Sequence, residues 1–195
     1  MSKLITTLAV TAGLLMASHT ALAGDLTVSF LHLNNFYPED RDKIYAAAEV
    51  FETVINSEEF KEAILNFTYN GKKEFVDNNG MTNQEVYDTI MRGAEGYLNE
   101  PNHQADLDLQ LYWARWWKKW RVVGYTYPNT SRIYMNKYYF NVFTPSDVAG
   151  NMAHEWMHKI GFDHDFNRTA RRPYSVPYAV GDLISEIAQK MGIGQ

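Results

Sequence analysis

Three histidines and a glutamate stand at spacings that can hold and use a metal ion: His154-Glu155-Trp156-Met157-His158, then Gly161, then His164. Helical residues four apart lie one turn apart on one face, so His154 and His158 can grip one ion. Zinc accepts imidazole nitrogens at about 2.0–2.1 Å. Glu155 lies beside the pair but rotated off its face, which leaves its carboxylate able to take a proton from an attacking water rather than share the metal. Gly161 tolerates positive φ and can end the helix in a turn that returns His164 as third ligand. Three nitrogen ligands leave one tetrahedral position open, which describes one catalytic Zn2+ rather than a closed structural site. Average residue usage gives the whole pattern a chance frequency on the order of one in 10⁵ chains of this size. That figure leaves little weight for the alternative of solvent-facing histidines on an ordinary helix.

The elements that must position these residues are legible around them. Thr144-Pro145-Ser146-Asp147 is a helix start, with a capping hydroxyl, proline in the first turn and an acid at the positive end. From it, Val148, Ala149, Met152, Ala153, Trp156 and Ile160 gather on one side and the imidazoles on the other. Upstream, 26–33 alternates and is β-prone, and Pro38 opens a long helix whose face is Ile44, Ala47, Ala48, Phe51, Val54 and Ile55. The segment 60–68 continues as helix or enters a strand. Thr82 and Glu85 form a capping box for another helix. Strands are expected over 107–111, 121–127 and 132–136, the last two separated by the turn Pro128-Asn129-Thr130-Ser131, and a final helix over 182–191 stopped by Gly192. The mixture implies an α+β or α/β domain.

The motif His-Glu-x-x-His-x-x-Gly-x-x-His resembles the signature of the metzincin zinc endopeptidases. The resemblance implies zinc ligation by His154, His158 and His164, a general base in Glu155, and a zincin-like α+β fold. That fold has a twisted mixed sheet with an antiparallel edge strand, a long helix, the zinc helix and a short C-terminal subdomain with a final helix. Asp165, directly after the third histidine, is similar to several branches of that family. In the family the edge strand lines the cleft and pairs with extended substrate; by position, 122–127 would be that strand. Metzincins also place a methionine in a tight turn beneath the zinc. Here 172–178 looks like that turn with Val176 or Pro177 in its place, and the only later methionine is Met191. Some members carry a turn tyrosine that reaches the metal or the oxyanion; Tyr178 is the candidate, its alternative being a buried tyrosine in a proline-constrained loop.

Bulk properties narrow the setting. The first 23 residues combine Lys3, an apolar run over 4–16 and the ending Ala21-Leu22-Ala23, which reads as a cleaved secretory signal. The run is shorter than the ~20 residues a membrane span needs. Residues 24–195 then form a single domain, secreted or periplasmic and expected to act as a monomer. A net charge of −5, one unit more negative once Lys3 is lost, argues against nucleic-acid affinity. Cysteine is absent, which excludes disulfides and thiolate chemistry.

Rings crowd 112–140, and with Lys118, Lys119 and Arg121 they could suggest stacking on single strands. Core packing and cleft walls account for most of them. Arg168, Arg171 and Arg172 either steer an acidic substrate or form a solvated loop. His32 and His103 are read as structural, and Glu186 as a weaker rival for third ligand. Taken together, the expectation is a secreted zinc metalloendopeptidase acting on peptide or protein substrates. Two rivals are a zinc-holding effector domain without activity and a zinc amidase acting on cell-wall amides.

Overall fold

Strands β1 (Thr27–Asn34), β2 (Gln104–Tyr112), β3 (Gly124–Thr126) and β4 (Arg132–Asn136) build one sheet in the order β1-β2-β4-β3. The computed structural model describes residues 24–97, 100–117, 120, 122–127 and 130–195. Residues 1–23, where a secretory signal is expected, together with Leu98, Asn99, Lys118, Lys119, Arg121 and, from the expected turn, Pro128 and Asn129, lie outside the described residues. β1, β2 and β4 run parallel, and β3 is the antiparallel edge, with Gly124 opposite Met135 and Thr126 opposite Ile133. Parallel neighbours need long crossovers. Helices α1 (Pro38–Ile55), α2 (Glu58–Leu65) and α3 (Asn83–Arg92) fill the one between β1 and β2.

The alternation over 107–111 is resolved into two unlike faces. Ala105, Leu107, Leu109 and Leu111 are wholly buried, while Asp106 and Asp108 are equally sequestered on the other side. A buried carboxylate must be paired or hydrogen-bonded. Asp108 meets Arg132 Nε at 2.8 Å and accepts from Ser131 Oγ at 2.9 Å, which ties β2 to the start of β4.

Three helices carry the core between them: α1, α5 (Pro145–Lys159) and α6 (Val176–Met191). The apolar face expected for α5 is fully realised, since Val148, Ala149, Met152, Ala153 and Trp156 have no exposure. Trp156 stands edge-on to Phe51 of α1 at 5.9 Å and donates its Nε1–H to Glu95 at 2.6 Å. Glu95 also accepts from the Asp106 backbone N–H at 2.8 Å, and burial pushes its carboxyl above the usual range. Core burial of a side chain like Trp156 contributes about 3 kcal/mol, so the orientation of α5 is firmly set. Between α5 and α6 there is almost no gap: a β-carbon on Gly150 would lie 2.6 Å from the Gly181 carbonyl oxygen.

The sequence expectations differ from the structure in three places, and one open alternative is resolved. The final helix begins at Val176, six residues before the expected start, because Pro177 fits a first helical turn as well as it fits a loop. Its stop at Gly192, in the left-handed conformation, is as expected. The ambiguous 60–68 segment is helical through Leu65, started by Ser57 Oγ accepting from the Phe60 N–H. The edge strand is only three residues long. A short helix, α4 (Lys137–Val142), follows β4 unforeseen: its aromatic, β-prone residues hide a turn that the Asn136 side chain starts by accepting from the Tyr138 N–H. Lys43 of α1 caps its far end through the carbonyls of Phe140 and Phe143 at 3.0 and 2.8 Å. No helix among the described residues is long and apolar enough to cross a membrane.

Candidate metal centre

α5 begins where the sequence places it. Thr144 and Asp147 cap each other reciprocally, with Thr144 N–H donating to Asp147 Oδ2 at 3.1 Å. The Ser146 N–H is satisfied from the opposite end of the chain, by the Gly194 carbonyl at 3.0 Å. With its start fixed and its back buried, the helix presents His154 and His158 on the remaining face. Gly161, at φ +97°, then turns the chain, and Phe162 N–H closes onto the Met157 carbonyl at 3.0 Å. The loop before α3 braces that turn, because Asn79 donates its side-chain N–H to the Gly161 carbonyl at 2.9 Å.

The result is a cluster. One ring nitrogen from each of His154, His158 and His164 lies within 4.8 Å of the other two, close enough for all three to bind one metal ion. Ring centroids are separated by 5.4 Å (154 to 158), 5.3 Å (154 to 164) and 4.8 Å (158 to 164). Each imidazole is also oriented from outside the cluster. His158 Nδ1 faces the Phe162 carbonyl at 2.8 Å and the Asp163 carboxylate at 3.2 Å. His164 Nδ1 faces the Asp165 carbonyl at 3.1 Å. His154 is bonded by the backbone of Pro177, which has no N–H and so can offer only its carbonyl. Such outer bonds set the tautomer and leave the other nitrogen as a lone-pair donor.

Electrostatics point the same way. Burial pulls the His154 pKa down to about 3, helped by the like charges of His158, His164 and Arg172. His158 and His164 are lowered too, first by burial. Neutral imidazole is the metal-binding form, so all three are competent at neutral pH. The donor set, all nitrogen with no thiolate in the chain, fits a borderline first-row ion such as zinc. No family profile, curated protein or solved structure matches this chain. The case for any chemistry at this centre therefore rests on its own geometry.

Glu155 is not part of the triad. It is 4% exposed, and its carboxylate lies under the edge strand: a β-carbon built on Gly124 would sit 3.0 Å from Glu155 Oε1 and 3.0 Å from Asn151 Oδ1. Burial pushes the Glu155 pKa up to about 8, and Lys159 pulls against that rise. Lys159, 4% exposed, donates to the carbonyls of Tyr127 and Thr130 at 3.0 and 2.5 Å, holding the end of β3 against the helix. Gly124 and Lys159 went unnoticed in the sequence. The only signal for Gly124 was a glycine inside a β-prone run, which marks close approach of another group.

Tyr178, on the first turn of α6, stands beside the triad with its ring 4.5 Å from that of His154 and 4.9 Å from that of His164. The tyrosine hydrogen-bonds the Arg172 side chain, whose guanidinium lies 4.9 Å from the ring. Arg172 is thus packed against the centre, while Arg171 turns away to Asp77 at 3.5 Å. Val176 and Pro177 open α6 rather than forming a tight turn, and of the two it is Pro177 whose backbone hydrogen-bonds His154. Met191, the only later methionine, sits in the last turn of α6 and is 39% exposed. Glu186 is exposed on α6 and is no member of the histidine cluster. His32 and His103 lie apart from it, facing Asp108 at 3.6 Å and the Met91 carbonyl at 2.9 Å.

Proposed function

We infer that the protein is a zinc metalloendopeptidase of zincin-like, metzincin-related architecture, exported from the cell and acting on extended peptide or protein substrates. The observation that carries this reading is the triad of neutral imidazoles with a separate, buried carboxylate one residue along the same helix. When bound, a zinc ion supplies Lewis-acid polarisation of the scissile carbonyl and acidifies water. Glu155 accepts the proton of the attacking water and returns it to the leaving amine. Burial raises the proton affinity of its carboxylate, while a bound cation nearby would favour the ionised form that accepts the proton. β3 offers an antiparallel edge with which an extended substrate can pair. Tyr178, beside His154 and His164, is the candidate to hydrogen-bond the oxyanion as charge develops.

Purified protein should contain about one zinc per chain and hydrolyse a mixed peptide panel. A chelator should abolish the hydrolysis and added zinc restore it. Zinc content without cleavage of any peptide would favour an inactive effector domain. Cleavage confined to cell-wall amides would favour the amidase.

Gly124 gives a second test. Alanine there presses on Glu155 Oε1 and Asn151 at 3.0 Å, so the carboxylate must shift by a few tenths of an ångström. Misplacement on the ångström scale costs up to about 100-fold in rate. The expected result for Gly124→Ala is a fall in kcat of about tenfold or more, with unchanged zinc content. Parent-like kcat would mean that Glu155 is not held by the edge strand.

A further inference from the structure

Tryptophan carries more apolar surface than any other side chain, and burying it is strongly favoured. Four of the chain's five tryptophans nonetheless lie within residues 113–122. The fifth, Trp156, is wholly buried, whereas Trp113, Trp116, Trp117 and Trp120 are 56%, 76%, 48% and 56% exposed. Core packing alone does not account for the rings over 112–140: among them only Phe140 is a core residue. The segment is nevertheless anchored. The Tyr139 hydroxyl donates to the Trp120 carbonyl at 2.8 Å, the Asn136 side chain to the Val122 carbonyl at 2.9 Å, and Trp113 meets Tyr37 edge-on at 6.3 Å. Backbone is tied down at β4 and α4 while indoles face outward.

The charge of the same stretch opposes that of the chain. Residues 113–122 carry Arg115, Lys118, Lys119 and Arg121 and no carboxylate, in a protein of net charge −5. Arg115 lies 5.6 Å from the Trp117 ring, so cation and indole form one patch.

We propose that this loop docks the protein peripherally onto an anionic phospholipid surface. Indoles favour the headgroup boundary, where one side of the ring is apolar and the N–H stays wet. Lys and Arg are drawn to anionic lipids; Arg115 stands beside the Trp117 ring, and Lys118, Lys119 and Arg121 follow in the same stretch of sequence. Ligands that stack, whether nucleobase or sugar, ask for ring faces laid side by side; Trp116 and Trp117 meet at 87° and present an edge against a face. Immersion in an interface has no such requirement. Because residue 122 leads into β3, the docked loop sets the strand that covers Glu155 next to the lipid.

The test uses the purified protein with vesicles of phosphatidylglycerol and phosphatidylcholine, and with phosphatidylcholine alone. Co-sedimentation is expected with the anionic vesicles, weakening as salt is raised. Tryptophan emission should shift to the blue, a change that reports the loop because Trp156 is already buried. Arg115→Ala should weaken binding about fivefold, and the double variant W116A/W117A by more than about tenfold. Both variants should unfold at the parent temperature, since these side chains are exposed. Absence of co-sedimentation, or undiminished binding by the folded double variant, overturns the proposal. So does an emission shift produced by single-stranded DNA or cell-wall glycan but not by vesicles. None of these measurements reads hydrolysis, so the result stands apart from the peptidase reading.

Discussion

Glu155→Gln is expected to leave zinc content and fold intact while lowering peptide hydrolysis by about 10²–10⁴-fold. Glutamine keeps the shape of a side chain that is 4% exposed and pressed against β3, so no cavity opens. What it loses is the ability to accept a proton. Burial already disfavours the Glu155 carboxylate and pushes its pKa up to about 8. Replacing it by a neutral amide therefore removes a desolvation cost rather than adding one. Lys159 loses a nearby anion but keeps its bonds to the Tyr127 and Thr130 carbonyls. The thermal midpoint should accordingly hold or rise. Intact zinc and midpoint with collapsed kcat assigns Glu155 to proton transfer. Parent-like turnover of a peptide panel by Glu155→Gln would remove the general base from the proposed mechanism. Loss of zinc in the same variant would show that Glu155 supports the metal centre after all.

The local features of this centre were open to reading because each depends on nearest neighbours. The Thr144–Asp147 cap, the apolar back of α5 and the positive φ of Gly161 follow from periodicity and backbone sterics over a few residues. Features that depend on distant chain segments were not readable. Gly124 matters because α5 passes beneath it, and Lys159 because the end of β3 reaches it. Neither partner is near in sequence. Tyr178 was placed in a loop, yet it stands on α6. Proline at the second position of a helix and proline in a turn look alike until Gly150 and Gly181 are seen to bring α5 and α6 together. The exposure of the indoles is hidden in the sequence for a different reason. Composition favours burying rings, and nothing in 113–122 says that β4 and α4 hold its backbone with the indoles outside.

His164→Ala tests the metal centre itself, and its effect should be larger than that of any outer substitution. Replacing a residue that merely orients a ligand typically costs 10–100-fold in metal affinity; removing one of three ligands should exceed about 100-fold. His164 is suited to the experiment because it lies in the loop after α5 and not within a helix or strand. Its ring contacts are with the other two histidines and Tyr178. The metal-free fold should therefore survive. Zinc binding to the folded state stabilises it by about 2.7 kcal/mol at a hundred times the dissociation constant. Added zinc should consequently raise the midpoint of the parent and leave that of His164→Ala nearly unchanged. After dialysis against a weak chelator the parent should retain zinc and the variant should not. His103→Ala, remote from the cluster and bonded to the Met91 carbonyl, should behave as the parent does. Glu186→Ala separates the remaining alternative: exposed on α6 and outside the cluster, it should keep its zinc. If Glu186→Ala sheds the metal and His164→Ala keeps it, the third ligand is the carboxylate of α6 and the three-histidine centre is wrong.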